Sequence, residues 1–284
     1  MTQLSPVALF VYSRPDHIKR TIEALKKNKE AIHTDLIIFS DGPKILDHAY
    51  SVSEVRNYIA NIEGFKTIKI IQRPYNYGLA RSIISGVSDV LNQYDSVIVL
   101  EDDLVTSKNF LNFMNSGLSI YRDEDEVISI HGYSYPTTSK LPETYFLRGA
   151  DCWGWATWRR GWKHFEPNGD LLLNELISKS LIKKFDLDGN FEFSQMLRDQ
   201  INGKNDSWAI RWHASAFLKN KLTLYPGESL VQNIGLDNSG THCHATKIFD
   251  TNTPKQEVIV KKIPVFESKE QLFKPAVMTS YKYP

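Results

Sequence analysis

Cysteine is scarce in this chain: Cys152 and Cys243 are the only two among 284 residues. One disulfide is arithmetically possible, but the pair supports neither a disulfide framework nor a zinc-ligand pattern. Two free or buried thiols in a reducing compartment is the plainer expectation. An excess of either charge is also missing. Thirty-four Lys and Arg stand against 33 Asp and Glu, for a formal net charge of +1. No global field draws the chain to nucleic acid, so any phosphate it binds must be held by a local site. Long apolar runs are absent too, whereas a membrane-spanning helix needs about 20 consecutive apolar residues. The opening Met1-Thr2-Gln3-Leu4-Ser5-Pro6 carries no basic region ahead of its short apolar run, so it does not read as a secretory leader. A cytoplasmic enzyme is the expectation. Peripheral attachment to the cytoplasmic face of the inner membrane stays open, because it needs no spanning helix. Internal repeats and low-complexity linkers are missing as well.

What is present is an ordinary globular composition, 42% hydrophobic and 24% charged, in a chain long enough for one large core. The first hundred residues alternate short apolar runs with helical spacing. Val7 to Tyr12 reads as a buried strand, broken by Ser13-Arg14-Pro15, with Asp16 as the expected N-cap of a helix through Ile18, Ile22 and Leu25. Leu36 to Phe39 is a second strand, stopped by Ser40-Asp41-Gly42-Pro43. Val52, Val55, Tyr58, Ile59 and Ile62 mark a helix, and Ile68 to Ile71 a third strand. Asn76-Tyr77-Gly78 is a turn before a helix through Leu79, Ile83, Ile84 and Val87. Val97 to Leu100 is a fourth strand, and it runs straight into Glu101-Asp102-Asp103.

Alternation of this kind implies an α/β fold with a mostly parallel central sheet and helices on both faces. Ligands of such sheets bind outside the carboxyl ends of the strands. Arg14, Asp41, Arg73 and Glu101 to Asp103 all fall at such ends. After about residue 125 the rhythm changes. Strands are expected at 127–130, 145–147 and 222–225, helices at 171–180, 190–203 and 208–219, and a loop from Asn233 to His244. The expectation is one domain over 1–284. A nucleotide-binding half at about 5–125 and an acceptor half at about 126–245 are followed by an extension at 246–284.

Three adjacent carboxylates after four aliphatic residues need a reason, because like charges repel. A divalent cation bound together with a diphosphate supplies one. Mg²⁺ and Mn²⁺ prefer oxygen ligands, and Mg²⁺ takes one or two carboxylates plus substrate phosphates. A solvated acidic turn is the alternative.

The order strand–Ser13-Arg14-Pro15, strand–Ser40-Asp41-Gly42, Asn76-Tyr77-Gly78-Leu79-Ala80 and Val99-Leu100-Glu101-Asp102-Asp103, with Trp153-Gly154-Trp155-Ala156-Thr157-Trp158 further on, resembles the GT-A glycosyltransferases. These are enzymes related to N-acetylglucosaminyltransferase I and to bacterial family 2 sugar transferases. The resemblance spans roughly residues 5 to 245. It implies a GT-A (Rossmann-like) fold and a nucleotide-sugar donor, with Mn²⁺ or Mg²⁺ held by Asp103 and the ribose by Glu101. Arg14 and Asp41 would hold uracil, with Asp102 and Arg81 completing the nucleotide group. It also implies that an acid shortly before a tryptophan is the catalytic base, and Asp206-Ser207-Trp208 matches. The residues alone leave alternatives: Asp41 as a turn residue, Asp206 as a helix N-cap, and Asp151 as a rival base or acceptor contact.

All six tryptophans lie between 153 and 212. Aromatic faces suit the apolar faces of sugar rings, but Trp158 with Trp162 and Trp208 with Trp212 have the spacing of a buried helical face. Most are expected in the core, with Trp153 or Trp155 lining a sugar cleft. The stretch from Asn233 to His244 has the make-up of a lid. In it Gly235 and Gly240 serve as hinges, and His242 reaches the diphosphate or the metal, or is merely exposed.

Three functions compete. The first is a metal-dependent transfer, inverting in the favoured form, from a nucleoside diphosphate sugar to a glycan or lipid-linked hydroxyl in bacterial surface polysaccharide synthesis. The second is sugar-nucleotide nucleotidyl transfer, though the Gly-rich loop expected after the first strand is replaced by Ser13-Arg14-Pro15. The third is non-catalytic carbohydrate binding.

Overall fold

The computed structural model describes residues 3–137, 140–237, 246–254 and 256–268. The elements run β1 (Val7–Val11), α1 (Pro15–Leu25), β2 (Asp35–Ser40), α2 (Ala49–Ile59), β3 (Thr67–Gln72), α3 (Leu79–Leu91), β4 (Ser96–Glu101), β5 (Leu104–Thr106), α4 (Phe110–Ile120), β6 (Val127–His131), β7 (Thr144–Arg148), β8 (Trp155–Trp158), α5 (Arg159–Trp162), α6 (Gly169–Ser178), α7 (Ile182–Phe185), α8 (Phe193–Ile201), α9 (Trp208–Leu218), β9 (Leu222–Pro226) and β10 (Val231–Asn233).

Eight strands form one sheet in the order β3-β2-β1-β4-β8-β6-β9-β7. The pairs from β3 to β4 are all parallel. Beyond β4 the sheet is mixed: β8 is antiparallel to β4 and β6, β6 is parallel to β9, and β7 closes the edge antiparallel. The expected α/β fold with a mostly parallel sheet and helices on both faces is the one observed.

The side-chain period of two explains why the first strands read as unbroken apolar runs. On β1, Val7, Leu9 and Val11 enter one core with residues of α1, α2 and α4. Ala8 and Phe10 enter a second core on the opposite face, with residues of α3 and α9. A strand buried on both faces needs an apolar residue at every position. Two expectations are corrected here. Asp16 is not the N-cap of α1. Arg14 stands at that position, Pro15 is the first helical residue and Asp16 sits in the first turn, where proline's fixed φ and an acid beside the helix dipole are both favourable. Trp158 and Trp162 do not share a helical face, because Trp158 belongs to β8 and the two rings enter different cores.

Several elements escape the sequence patterns. Strand β8 hides inside the tryptophan motif. Helix α4 turns Phe110, Leu111, Phe113, Met114 and Leu118 into the core and keeps Asn112, Asn115, Ser116 and Ser119 on its other face. The tail residues Val258 and Val260 are buried in the first core without forming a strand. Among the described residues no helix is long and apolar enough to cross a membrane.

Candidate functional site

The carboxyl ends of β1 and β4 are neighbours because their strands pair, Phe10 lying opposite Glu101. The residues that follow them therefore meet. The Arg14 guanidinium forms an ion pair with Asp102 and a second with Asp103 Oδ2 at 2.9 Å. The Tyr12 amide donates to Asp102 Oδ2 at 3.4 Å. From α1, the buried Thr21 hydroxyl donates to the Asp102 carbonyl at 2.7 Å. Asp102 is thus fixed by side chain and main chain alike. Thr21 and Tyr12 have no pattern in the sequence that would single them out; only the fold brings them to the triplet.

Three carboxylates here face one guanidinium. Burial, and then the charge of Asp103, push Glu101 up to about 8. Burial also raises Asp102, although Arg14 works against the shift. Burial opposes the charge of Arg14, but Asp102 and Asp103 outweigh it and hold the guanidinium more firmly protonated. The cluster is short of positive charge, and its donors are hard oxygens. That chemistry fits a divalent cation, provided Arg14 gives up part of its hold. Among the described residues no group of three or more His, Cys, Asp and Glu is arranged as a metal site.

A second chain segment closes over this pair. Strand β10 lies antiparallel on β5, with Asn233 opposite Leu104. The Ile234 amide then donates to the Asp103 carbonyl at 2.9 Å. His17 Nε2 lies 3.2 Å from the Ile234 carbonyl and 3.2 Å from Asp237. Gly235 rests directly on the ion pair: a Cβ there would collide with the Asp103 carboxylate and sit 2.9 Å from Arg14 Nη1. The beginning of the expected lid is therefore packed against the triplet. Gly240, His242 and Cys243 lie outside the described residues.

Asp41 has a different neighbourhood. Its carboxylate accepts the amides of Gly42 at 3.1 Å, Tyr77 at 2.8 and 3.0 Å, and Gly78 at 3.0 Å. It fastens the turn before α3, where Gly78 holds a φ of 76°, a conformation that favours glycine. Tyr77 carries two cations on its ring: the Arg73 guanidinium carbon at 4.2 Å and that of Arg81 at 4.3 Å. Arg73 is buried and tied to Ser82 and Ser85, whereas Arg81 is exposed. The residues expected on the uracil, Arg14 and Asp41, are each given protein partners, and those partners differ.

Antiparallel pairing of β8 with β4 sets Trp155 against Val99, so the residues just before β8 run alongside the triplet. The Cys152 thiol feels this position. Burial pushes it well up, and the charges of Asp151, Glu101 and Asp103 add to the effect. Asp151 accepts from the Tyr135 hydroxyl at 2.6 Å and from the Cys152 amide at 2.8 Å. Burial acts against its charge, but these donors and the nearby His131 hold it below the usual carboxylate range. His131 Nε2 accepts the Trp153 amide at 3.1 Å, which fixes the segment from below.

Trp155 is not a cleft residue. It is fully buried, and its ring centroid lies 5.4 Å from Trp208, 5.7 Å from Trp162 and 5.9 Å from Trp212. The alternation of β8 points it into the second core. Trp153, half-buried, packs edge-on against Tyr133 and Phe249.

Asp206 stands apart from the triplet. It borders an open hollow of about 290 Å³ with Ala80, Arg81, Ile84, Ser85, Ser88 and Arg211, and none of Glu101 to Asp103 lines it. Its side chain is 67% exposed and pairs with Arg211 at 3.2 Å. It does not cap α9. Ser207 does, accepting the Ile210 amide at 3.2 Å, so the Asp206 carboxylate has no capping duty.

No family model matches the chain, and no curated protein matches it. The likeness to N-acetylglucosaminyltransferase I drawn from motifs thus has no sequence match behind it. Solved structures are similar in part. A mannosyltransferase from Pyrobaculum calidifontis, solved with GDP-Man and Mn²⁺, is 12% identical, with a TM-score of 0.33 over 45% of this chain and 35% of that one. Two structures of S. aureus TarS are 12% and 14% identical, with TM-scores of 0.34 and 0.36 over 54% and 57% of this chain. The matched parts make up 47% and 30% of the TarS chains. The chain thus spans less than half the length of each.

Proposed function

We propose that the chain is a GT-A-type glycosyltransferase that moves a sugar from a nucleoside diphosphate donor to a hydroxyl acceptor. The observation that carries this reading is the meeting of Arg14 with Glu101-Asp102-Asp103 at the carboxyl ends of two paired parallel strands. Strand ends of this kind are where open α/β sheets receive nucleotides.

Asp103 holds a divalent cation together with the donor diphosphate, and Glu101 accepts a hydrogen bond from the ribose. Bound there, the cation neutralises charge on the departing nucleoside diphosphate. Asp206 takes the proton of the acceptor hydroxyl as its oxygen bonds to the sugar anomeric carbon and the bond to the diphosphate breaks. Its exposure and its freedom from capping support that role. Asp41, through Tyr77 and Gly78, keeps the rim beside the base rigid, and Arg81 offers an exposed cation there. Asp151 and Trp153 face the acceptor side, next to the triplet. A lipid-linked glycan on the inner membrane, in surface polysaccharide synthesis, is the acceptor class that suits the reading.

The test is a thermal-shift panel of nucleotide sugars with and without Mn²⁺, followed by release of free nucleoside diphosphate. Stabilisation by UDP-sugars that needs the metal supports the proposal. If no nucleotide sugar shifts the melting point, or if pyrophosphate is released from a nucleoside triphosphate instead, the proposal is wrong.

A further inference from the structure

We propose that Arg14 is the resident counter-cation of the triplet, seated on Asp102 and Asp103 until a divalent cation and the donor diphosphate arrive together to displace it. The inference rests on the reading of the site just given, and goes beyond it by assigning Arg14 a change of partner.

Geometry carries the argument. Arg14 bridges Asp102 and Asp103, and a metal on Asp103 would have to share that carboxylate with it. Arg14 is not loosely placed. It stands at the N-terminus of α1, and Gly235 packs on it and on Asp103 with no room for a methyl group. That strand end is itself pinned at Ile234, by the Asp103 carbonyl and by His17. A cation entering alone must compete with a half-buried guanidinium already making two ion pairs. A cation entering with a diphosphate need not, because the phosphates give Arg14 new anionic oxygens of the kind a guanidinium binds best. When all are ionised, three carboxylates and Arg14 carry a net charge of −2, which one divalent cation offsets before the diphosphate adds its own negative charge, so Arg14 is still wanted once the donor is in place. Metal and donor binding are thereby made interdependent by one side chain.

The experiment measures unbound Mn²⁺ by electron paramagnetic resonance during titration of nucleotide-free protein. Wild type, Arg14→Gln and the double variant Arg14→Gln/Asp103→Asn are compared. An opposite charge within hydrogen-bond range changes a carboxylate's affinity for a cation by roughly tenfold or more. Arg14→Gln is therefore expected to bind Mn²⁺ about tenfold tighter than wild type, and Asp103→Asn to remove that gain. Equal Mn²⁺ affinity in wild type and Arg14→Gln overturns the role of Arg14 while leaving the cation site standing. A gain that survives Asp103→Asn overturns it too, since the metal then sits elsewhere. If no protein binds Mn²⁺ even with UDP present, both this inference and the cation site fail. Should Arg14→Gln not fold, Arg14→Lys serves. It keeps one charge but cannot fork across two carboxylates, so a few-fold gain in Mn²⁺ affinity supports the proposal and no gain overturns it.

Discussion

The two halves of the sheet are built differently. From β3 to β4 every strand is parallel, β1, β2 and the middle of β4 are buried on both faces, and polar groups gather at the carboxyl ends. From β8 to β7 the directions are mixed, and polar groups lie within the sheet itself. Ser129 donates to the Ala156 carbonyl, Thr157 to that of Ile128 and Thr223 to that of Gly149. Aromatic rings fill the space around them. The first half keeps its chemistry at its edge and can change a side chain there without disturbing the core. In the second half the polar and aromatic groups are part of the core, so the same kind of change is felt by the whole fold. Asp206 is the exception: it is exposed and held at the surface by Arg211.

The largest effect that separates the halves is expected at Asp206. Loss of a general base costs about 10²- to 10⁴-fold in rate, so Asp206→Asn is expected to lower turnover that much while UDP-sugar affinity stays within a factor of two or so. Weakened donor binding of the same size would place Asp206 with the nucleotide instead. Trp155→Ala attacks the aromatic core and is expected to cost about 3–5 kcal/mol of stability, read as a shifted midpoint in urea. A loss under about 1 kcal/mol would mean that the four-tryptophan cluster is not the keystone of its half. Asp103→Asn is the counterpart in the first half. Metal-dependent UDP binding, followed calorimetrically, is expected to weaken by roughly tenfold or more, with the melting point nearly unchanged. A large drop in melting point would blur the contrast between the halves.

The smallest effect is in pH. Burial lowers the affinity of His131 and His213 for protons. Both stay neutral in the folded state at a pH where the unfolded chain, with an ordinary value of about 6.5, takes up protons. The stability this gives is present above about pH 6.5 and is lost as pH falls below it. Urea midpoints between pH 8 and pH 5.5 test this. A flat profile would show that neither ring is kept neutral by the fold, and His131→Asn should flatten the slope only in part.

The contrast also decides what was legible. The parallel half announced itself because double-sided burial writes continuous apolar runs, and Glu101 to Asp103 stood out because they ended one. The mixed half was obscure for the opposite reason. Strand β8 needs only four residues, two of them tryptophans serving different cores, so it carries no alternation to read. Arg14 was legible as a site residue but not as a partner of the acids, since strand order in space, β1 beside β4, is not strand order in sequence. Asp41 was legible as polar and placed at a strand end. Its engagement with the Tyr77 and Gly78 amides depends on a contact 36 residues away, which no local pattern contains. The packing of Gly235 on Arg14 spans the chain almost end to end and could be found only in three dimensions.

The engagement of Asp41 has a consequence for how a ligand is received. Three amides are spent on one carboxylate, and Gly42 packs so closely on the Tyr75 backbone that a Cβ would stand 2.6 Å from its carbonyl carbon. The rim from residue 74 to 78 is therefore set before anything binds. On the proposed reading, an arriving base would meet a wall rather than a loop that must be ordered around it, and the freedom lost on binding would fall mainly on the ligand. Selectivity at such a wall comes from shape: a ring that does not fit has nothing there that will yield to it.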